Sequence, residues 1–271
     1  QRYQALAAGF DASPAGLAAH QAGINRLAAT YVVVYAIVFT LIAFDMIMAL
    51  QPHWFSNLLG GWYFMGSFLG AHAWLALTMT YSGAHLRIGD LISPKQRHDL
   101  GKLIFGFTVF WAYLMWAQFL VIWYGNMPEE TGFVFARLWG EWLPIGRAVL
   151  IGMFLIPFWG LLFVATKKST FTLCLFAAVS FVSLWLERYL LVLPSVTVEH
   201  GPVFGLAEAG PTLALFGLLL ICFAIFARRY PIVSPRLAEI TMLAESAHGH
   251  GSEFEHDEKV GDYAHPKELP T

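Results

Sequence analysis

Charge is what this sequence has least of. Asp, Glu, Lys and Arg make up 13 % of its 271 residues, about half the share in a typical soluble domain, against 58 % apolar and 16 % aromatic residues. So little charge cannot coat a water-facing surface, and an integral membrane protein is expected. A net charge of −2 supplies no basic patch for nucleic acid. Strand-like alternation is also missing. The apolar runs are about 20 residues long, and in lipid such runs satisfy their backbone hydrogen bonds as helices, so a β-barrel is excluded. Cysteine is nearly absent, with Cys174 and Cys222 each inside an apolar run. Neither has a second Cys at metal-ligand spacing, so no iron–sulfur cluster, zinc site or covalently held cofactor is expected in this chain.

What is there reads as an all-α, polytopic transmembrane bundle. Six runs are long enough to span a bilayer: 31–50, 60–81, 100–124, 146–166, 169–193 and 211–227. The third carries a single charge, Lys102, placed to snorkel at one end, and closes on Trp123 and Tyr124, an interfacial aromatic pair. Three domains follow from this division. A lead at 1–30 contains Ser13 and Pro14, an N-cap and first-turn pair that predicts a short surface helix to about residue 29. The membrane domain is 31–235 and 236–271 a polar cytoplasmic tail, of which 246–271 is His- and acid-rich with too few aliphatic residues to fold alone, and either binds a metal or lies solvated against a partner subunit.

Basic residues in the connections set orientation. Arg26, Arg87, Lys95, Arg97, Lys102, Lys167, Lys168, Arg228, Arg229 and Arg236 fall on one side, and only Arg137, Arg147 and Arg188 on the other. Both ends of the chain are therefore expected in the cytoplasm. On the outer side, Arg137 and Glu141 are four apart while Val134, Leu138 and Trp142 share another face, which predicts one interfacial helix ended by Pro144.

Polar groups inside a span are costly and so are functional candidates, with structural pairing as the alternative. Asp45 lies about a turn from the outer end of the first span and His72 near the middle of the second. Each is read as a proton or quinone contact, or as a structural partner between helices. His72 and His85 on one helix raise heme ligation, but the later spans offer no matching histidine. His98 and Asp99 stand at the cytoplasmic mouth of the third span, where they either collect protons or serve the helix terminus, and Gln118 further along can bond a water or a quinone carbonyl. Glu187 and Arg188 diverge by about 100° on the fifth span, which predicts partners on other helices; one candidate pairing sets Glu187 against Asp45. Phe107, Trp111, Met115 and Gln118 form one stripe, either packing or a cofactor wall. Glu208 reads as a solvated or capping acid.

Three stretches carry a family resemblance. HDLGKLIFGFTVFWAYLMWAQFLVIWYGNMPEET (98–131), FDMIMALQPHWFSNLLGGWYF (44–64) and, more loosely, ERYLLVLPS (187–195) occur in matching order. The chain resembles the smaller polysulfide-reductase-like (NrfD-like) membrane subunit of alternative complex III, a bacterial quinol:electron-acceptor oxidoreductase. The resemblance implies the C-terminal part of a fold of about ten helices, with up to four of them preceding this chain. It also implies residence in the bacterial cytoplasmic membrane, menaquinone or ubiquinone and lipids as ligands, and as partners a larger NrfD-like subunit, an iron–sulfur subunit, a multi-heme cytochrome c subunit and other membrane subunits. The expected role is proton translocation and complex stability, along a path from His98 and Asp99 through His72 toward Asp45 and Glu187. Direct quinol oxidation and a purely structural scaffold are the alternatives.

Overall fold

The computed structural model describes residues 14–85, 92–197 and 201–229, and every regular element among them is helical. Helix α1 is Pro14–Ile42, continued by a π-helical turn Ala43–Ile47 and a 3₁₀ turn Met48–Leu50. It is followed by α2 (Leu58–His85), α3 (Pro94–Gly125) and α4 (Pro128–Leu138). Helix α5 covers Gly140–Gly160 and contains a π-helical turn at Ile151–Leu155. The short α6 (Val164–Lys168), α7 (Thr170–Val196) and α8 (Leu206–Arg229) complete the described chain.

Among the described residues five stretches are long and apolar enough to cross a membrane: Ala22–Leu50, α3, α5, α7 and α8. The second expected span, 60–81, falls inside α2, which at 1.5 Å per residue reaches ~42 Å but is not one of the five. The shortfall is one of composition. Helix α2 packs against α1, α3 and α7, and its glycines lie where neighbours come closest: Gly60 faces Thr40 of α1, Gly66 faces Trp111 and the Glu187–Arg188 pair, and Gly70 faces Leu184 of α7. Small residues let helix backbones approach in a bundle. Those glycines, with Trp62, Tyr63 and His72, dilute the apolar character of the most enclosed helix.

Several sequence expectations change here. The lead does not form a separate surface helix, since α1 runs without a break from Pro14 through Thr30 into the first span; no proline follows Pro14 there, and Gly16 and Gly23 are tolerated among Ala and Leu. Helix α3 starts six residues before the expected run at 100, because Ser93 and Gln96 form a capping box and Pro94 occupies the first turn. The connection after α3 is not one interfacial helix. It breaks after α4 at Gly140, whose φ of +59° suits glycine, and Pro144 stands in the first turn of the helical part of α5 rather than at an end. Arg137 and Glu141 therefore do not share a face.

Lys167 is buried, its Nζ 5.3 Å from the Phe105 ring centroid and donating to Leu162 O at 3.4 Å. Arg97 donates from Nε to Lys168 O at 3.0 Å and from Nη1 to Ile92 O at 2.7 Å, tying the start of α3 to the end of α6. Glu208 accepts from Gly205 N at 2.8 Å and so caps the start of α8. The side chain of His85, together with Ser13, Arg87, Arg236 and the tail, lies outside the described residues.

Candidate functional site

The polar centre of the bundle is Glu187, only 1 % exposed on α7. A buried carboxylate needs partners, and α3 and α7 supply them. Trp111 of α3, fully buried, donates from Nε1 to Glu187 Oε1 at 3.0 Å. Glu187 Oε2 lies 3.3 Å from Arg188 Nη1 and accepts no hydrogen bond from the protein. The expectation that these neighbours must look elsewhere is thus half corrected. The flexible Arg188 side chain bends back onto Glu187 across the ~100° between them, and it also donates from Nη2 to Tyr63 O at 2.9 Å and Ser67 Oγ at 3.0 Å on α2, lying 3.7 Å from the Tyr63 ring centroid. Gly66 makes room for this: a Cβ there meets Arg188 Nη2 at 3.0 Å, Trp111 Cδ1 at 3.3 Å and Glu187 Oε2 at 3.4 Å.

Glu187 lines a half-open cavity of about 260 Å³ between α3, α4, α5 and α7. Apolar side chains, among them Trp62, Met115, Phe133 and Leu190, make up most of its walls. Two further buried polar groups line it. Gln118 leaves Oε1 without a hydrogen bond, and Arg137 leaves Nε without one. A second, more open aromatic hollow lined by Trp116, Trp123 and Trp139 shares Phe119 and Val134 with the first. Those three tryptophans are more than half exposed.

Arg137 is the residue that sequence reasoning misplaced. It turns inward from α4, 4 % exposed, and bridges to α7 by donating from Nη2 to Leu191 O at 2.7 Å and Ser195 Oγ at 2.5 Å. Nη1 donates to Phe133 O at 3.0 Å, and the guanidinium lies 3.5 Å from the Phe133 ring centroid. Burial lowers its pKa from 12.5 to about 9, which leaves it protonated at neutral pH. The signal available in the sequence was Phe133 four residues earlier, a cation–π partner one turn away.

The other candidates are not gathered at this site. Asp45 is exposed in the π-helical turn after α1, so it does not face Glu187. His72 is half-buried, its Nδ1 2.8 Å from Phe68 O of its own helix and its ring packed on Phe68 and Phe107. Asp99 pairs with Lys102 at 2.7 Å, both about half exposed, next to half-buried His98. The stripe on α3 divides: Phe107 packs on His72, Trp111 holds Glu187, and Met115 and Gln118 form cavity wall. Among the described residues no group of three or more His, Cys, Asp or Glu is placed to hold a metal ion.

A scan of protein-family models and a search of curated proteins each return no match for this chain.

Proposed function

We propose that this chain is a membrane subunit of a quinol:electron-acceptor oxidoreductase of the alternative complex III type, and that it receives the headgroup of menaquinol or ubiquinol in the cavity beneath Glu187. The observation that carries this reading is the pair of unsatisfied acceptors there, Glu187 Oε2 and Gln118 Oε1, in a cavity whose remaining walls are mostly apolar. A quinol presents two hydroxyl donors on an apolar ring, which matches such a lining. Glu187 then accepts a hydroxyl proton while the electrons leave to a redox centre held by a partner subunit. Arg188 and Trp111 keep the carboxylate placed and hydrogen-bonded.

The resemblance supports the same reading from another direction. Its three stretches come from different helices, and one residue or pair of each meets at this cluster: Trp62 and Tyr63, Trp111, and Glu187 with Arg188. On this reading α2 is a sixth crossing, the fold is the C-terminal six helices of an NrfD-like bundle in the bacterial cytoplasmic membrane, and the partners are the larger NrfD-like, iron–sulfur and multi-heme cytochrome c subunits. A second reading, proton translocation with complex stabilisation, is favoured by the ion pair of Glu187 and Arg188 inside a span. The path through His98, Asp99, His72 and Asp45 gains less, because those side chains find partners or exposure away from Glu187.

The test is quinol oxidation and proton release by the purified complex in liposomes, wild type against Glu187→Gln and Gln118→Leu. Loss of turnover in both variants with the complex assembled supports the quinol site. Normal turnover with reduced proton release selects translocation instead, and unchanged values for both leave only a scaffold.

A further inference from the structure

Independently of the cavity, the outward face of α1 carries a pattern of its own. Leu27, Tyr31, Val34, Val38 and Leu41 are 72, 68, 51, 43 and 53 % exposed, and Asp45 follows, also exposed. Their spacing is 4, 3, 4, 3 and 4 residues, the 3.5-residue repeat along which one helix seats against another. From Tyr35 onward the opposite side of the segment is already occupied, since Tyr35 and Phe39 pack on Phe64 and Tyr63 of α2 and Ala43 and Ile47 are buried, whereas residues 22–34 are exposed all round. The seam therefore points away from this bundle.

Its last position decides what covers it. Asp45 lies in the π-helical turn, about 8 Å short of the end of the segment at Leu50 by the ~1.5 Å rise per residue. A single methylene carries its carboxylate, so it cannot snorkel as Lys or Arg does. Among the described residues it has no ion pair or hydrogen bond. Lipid tails suit the five apolar positions and not the sixth. π-Helical turns recur at functional positions because they re-aim a side chain without ending the helix, and here the turn keeps Ala43 and Ile47 inward while Asp45 faces out.

We propose that this face is a docking surface for one transmembrane helix of a partner protein, packed along the 27–41 seam with a Lys or Arg opposite Asp45. The apolar seam supplies the length of contact and the buried ion pair sets its register, since a shifted helix leaves Asp45 unpaired in a low-dielectric environment. Such a pair is worth little in water and much more when lipid excludes the alternatives.

The experiment places a photo-crosslinking amino acid at Val34, Val38 or Leu41 in the full assembled protein in native membranes, with Leu215 of α8 as a control position, and identifies the attached peptide by mass spectrometry. Support requires crosslinks from the three seam positions to one transmembrane segment with a basic residue level with Asp45. It also requires that Asp45→Lys lower the yield about tenfold and that exchanging the partner's basic residue for Asp restore it. Asp45→Asn, which keeps shape and loses charge, separates pairing from misfolding and should lower the yield severalfold with the protein still inserted. Crosslinks to lipid alone, to a second copy of α1, or to another segment of this same chain overturn the proposal, as does a yield indifferent to all Asp45 substitutions.

Discussion

Replacing Trp111 with Phe removes the one hydrogen bond that the indole gives Glu187, at 3.0 Å between two side chains on different helices, both essentially inaccessible. Two magnitudes compete. Interhelical hydrogen bonds in membrane proteins average only about 0.6 kcal/mol, whereas a bond to a charged group contributes about 1.5–3 kcal/mol. If Glu187 is a carboxylate held by this donor, the larger figure applies. The packing loss from Trp to Phe obscures it in the single variant, so the informative quantity is the coupling in a cycle of Trp111→Phe, Glu187→Met and the double variant. The expected coupling is about 1.5–3 kcal/mol, roughly ten- to a hundredfold in the unfolding equilibrium. Reversible unfolding in mixed detergent micelles measures it. A coupling at or below about 0.5 kcal/mol, on the scale of ordinary additivity error, refutes the assignment of Trp111 as the group that holds the carboxylate.

Two further predictions rest on the same region. Gly66→Ala drives a Cβ to 3.0 Å from Arg188 Nη2; because Trp111 and Glu187 close the other sides, we expect a loss of about 1–3 kcal/mol, the usual cost of overpacking. Gly106→Ala, with open space around it, should be neutral or slightly stabilising in the same unfolding assay. Arg137 gives a pH dependence. Folded and unfolded states are both protonated at neutral pH, so the burial penalty is complete there; as pH climbs through about 9 toward 12.5 the folded form sheds its proton first and the penalty falls. Wild type should therefore gain stability relative to Arg137→Gln above about pH 9 and show no relative change below it, read by thermal unfolding of both proteins across that range.

The helical membrane class was legible because it depends on totals: little charge, long apolar runs and no alternation. Ends were harder. The start of α3 is fixed by Ser93 and Gln96, a short local signal ahead of the apolar run, and the lead merged with the first span because nothing between Pro14 and Ile42 breaks a helix. Glu187 was legible as a charged residue in a span, where its cost demands a reason. Its partners were not. Trp111 is 76 positions away in sequence and looked like packing, and the inward turn of Arg137 depends on the break at Gly140, which splits what periodicity alone read as one helix. Periodicity reports which residues share a face and is silent on which face the rest of the bundle covers.

The glycine-lined α2 also bears on how the protein is made. A helix enters the bilayer from the translocon according to its own apolarity, and on the six-crossing reading α2 is the crossing with the weakest claim of its own, while Ala22–Leu50 just ahead of it contains an 18-residue stretch with a mean hydropathy of 2.4. The close contacts between the two, Gly60 against Thr40 and Phe64 against Tyr35, fit entry as a hairpin in which α1 carries its successor across. Arg188 then meets its α2 acceptors, Tyr63 O and Ser67 Oγ, already in place when α7 arrives, because the order of synthesis puts them in the membrane before the charge they receive.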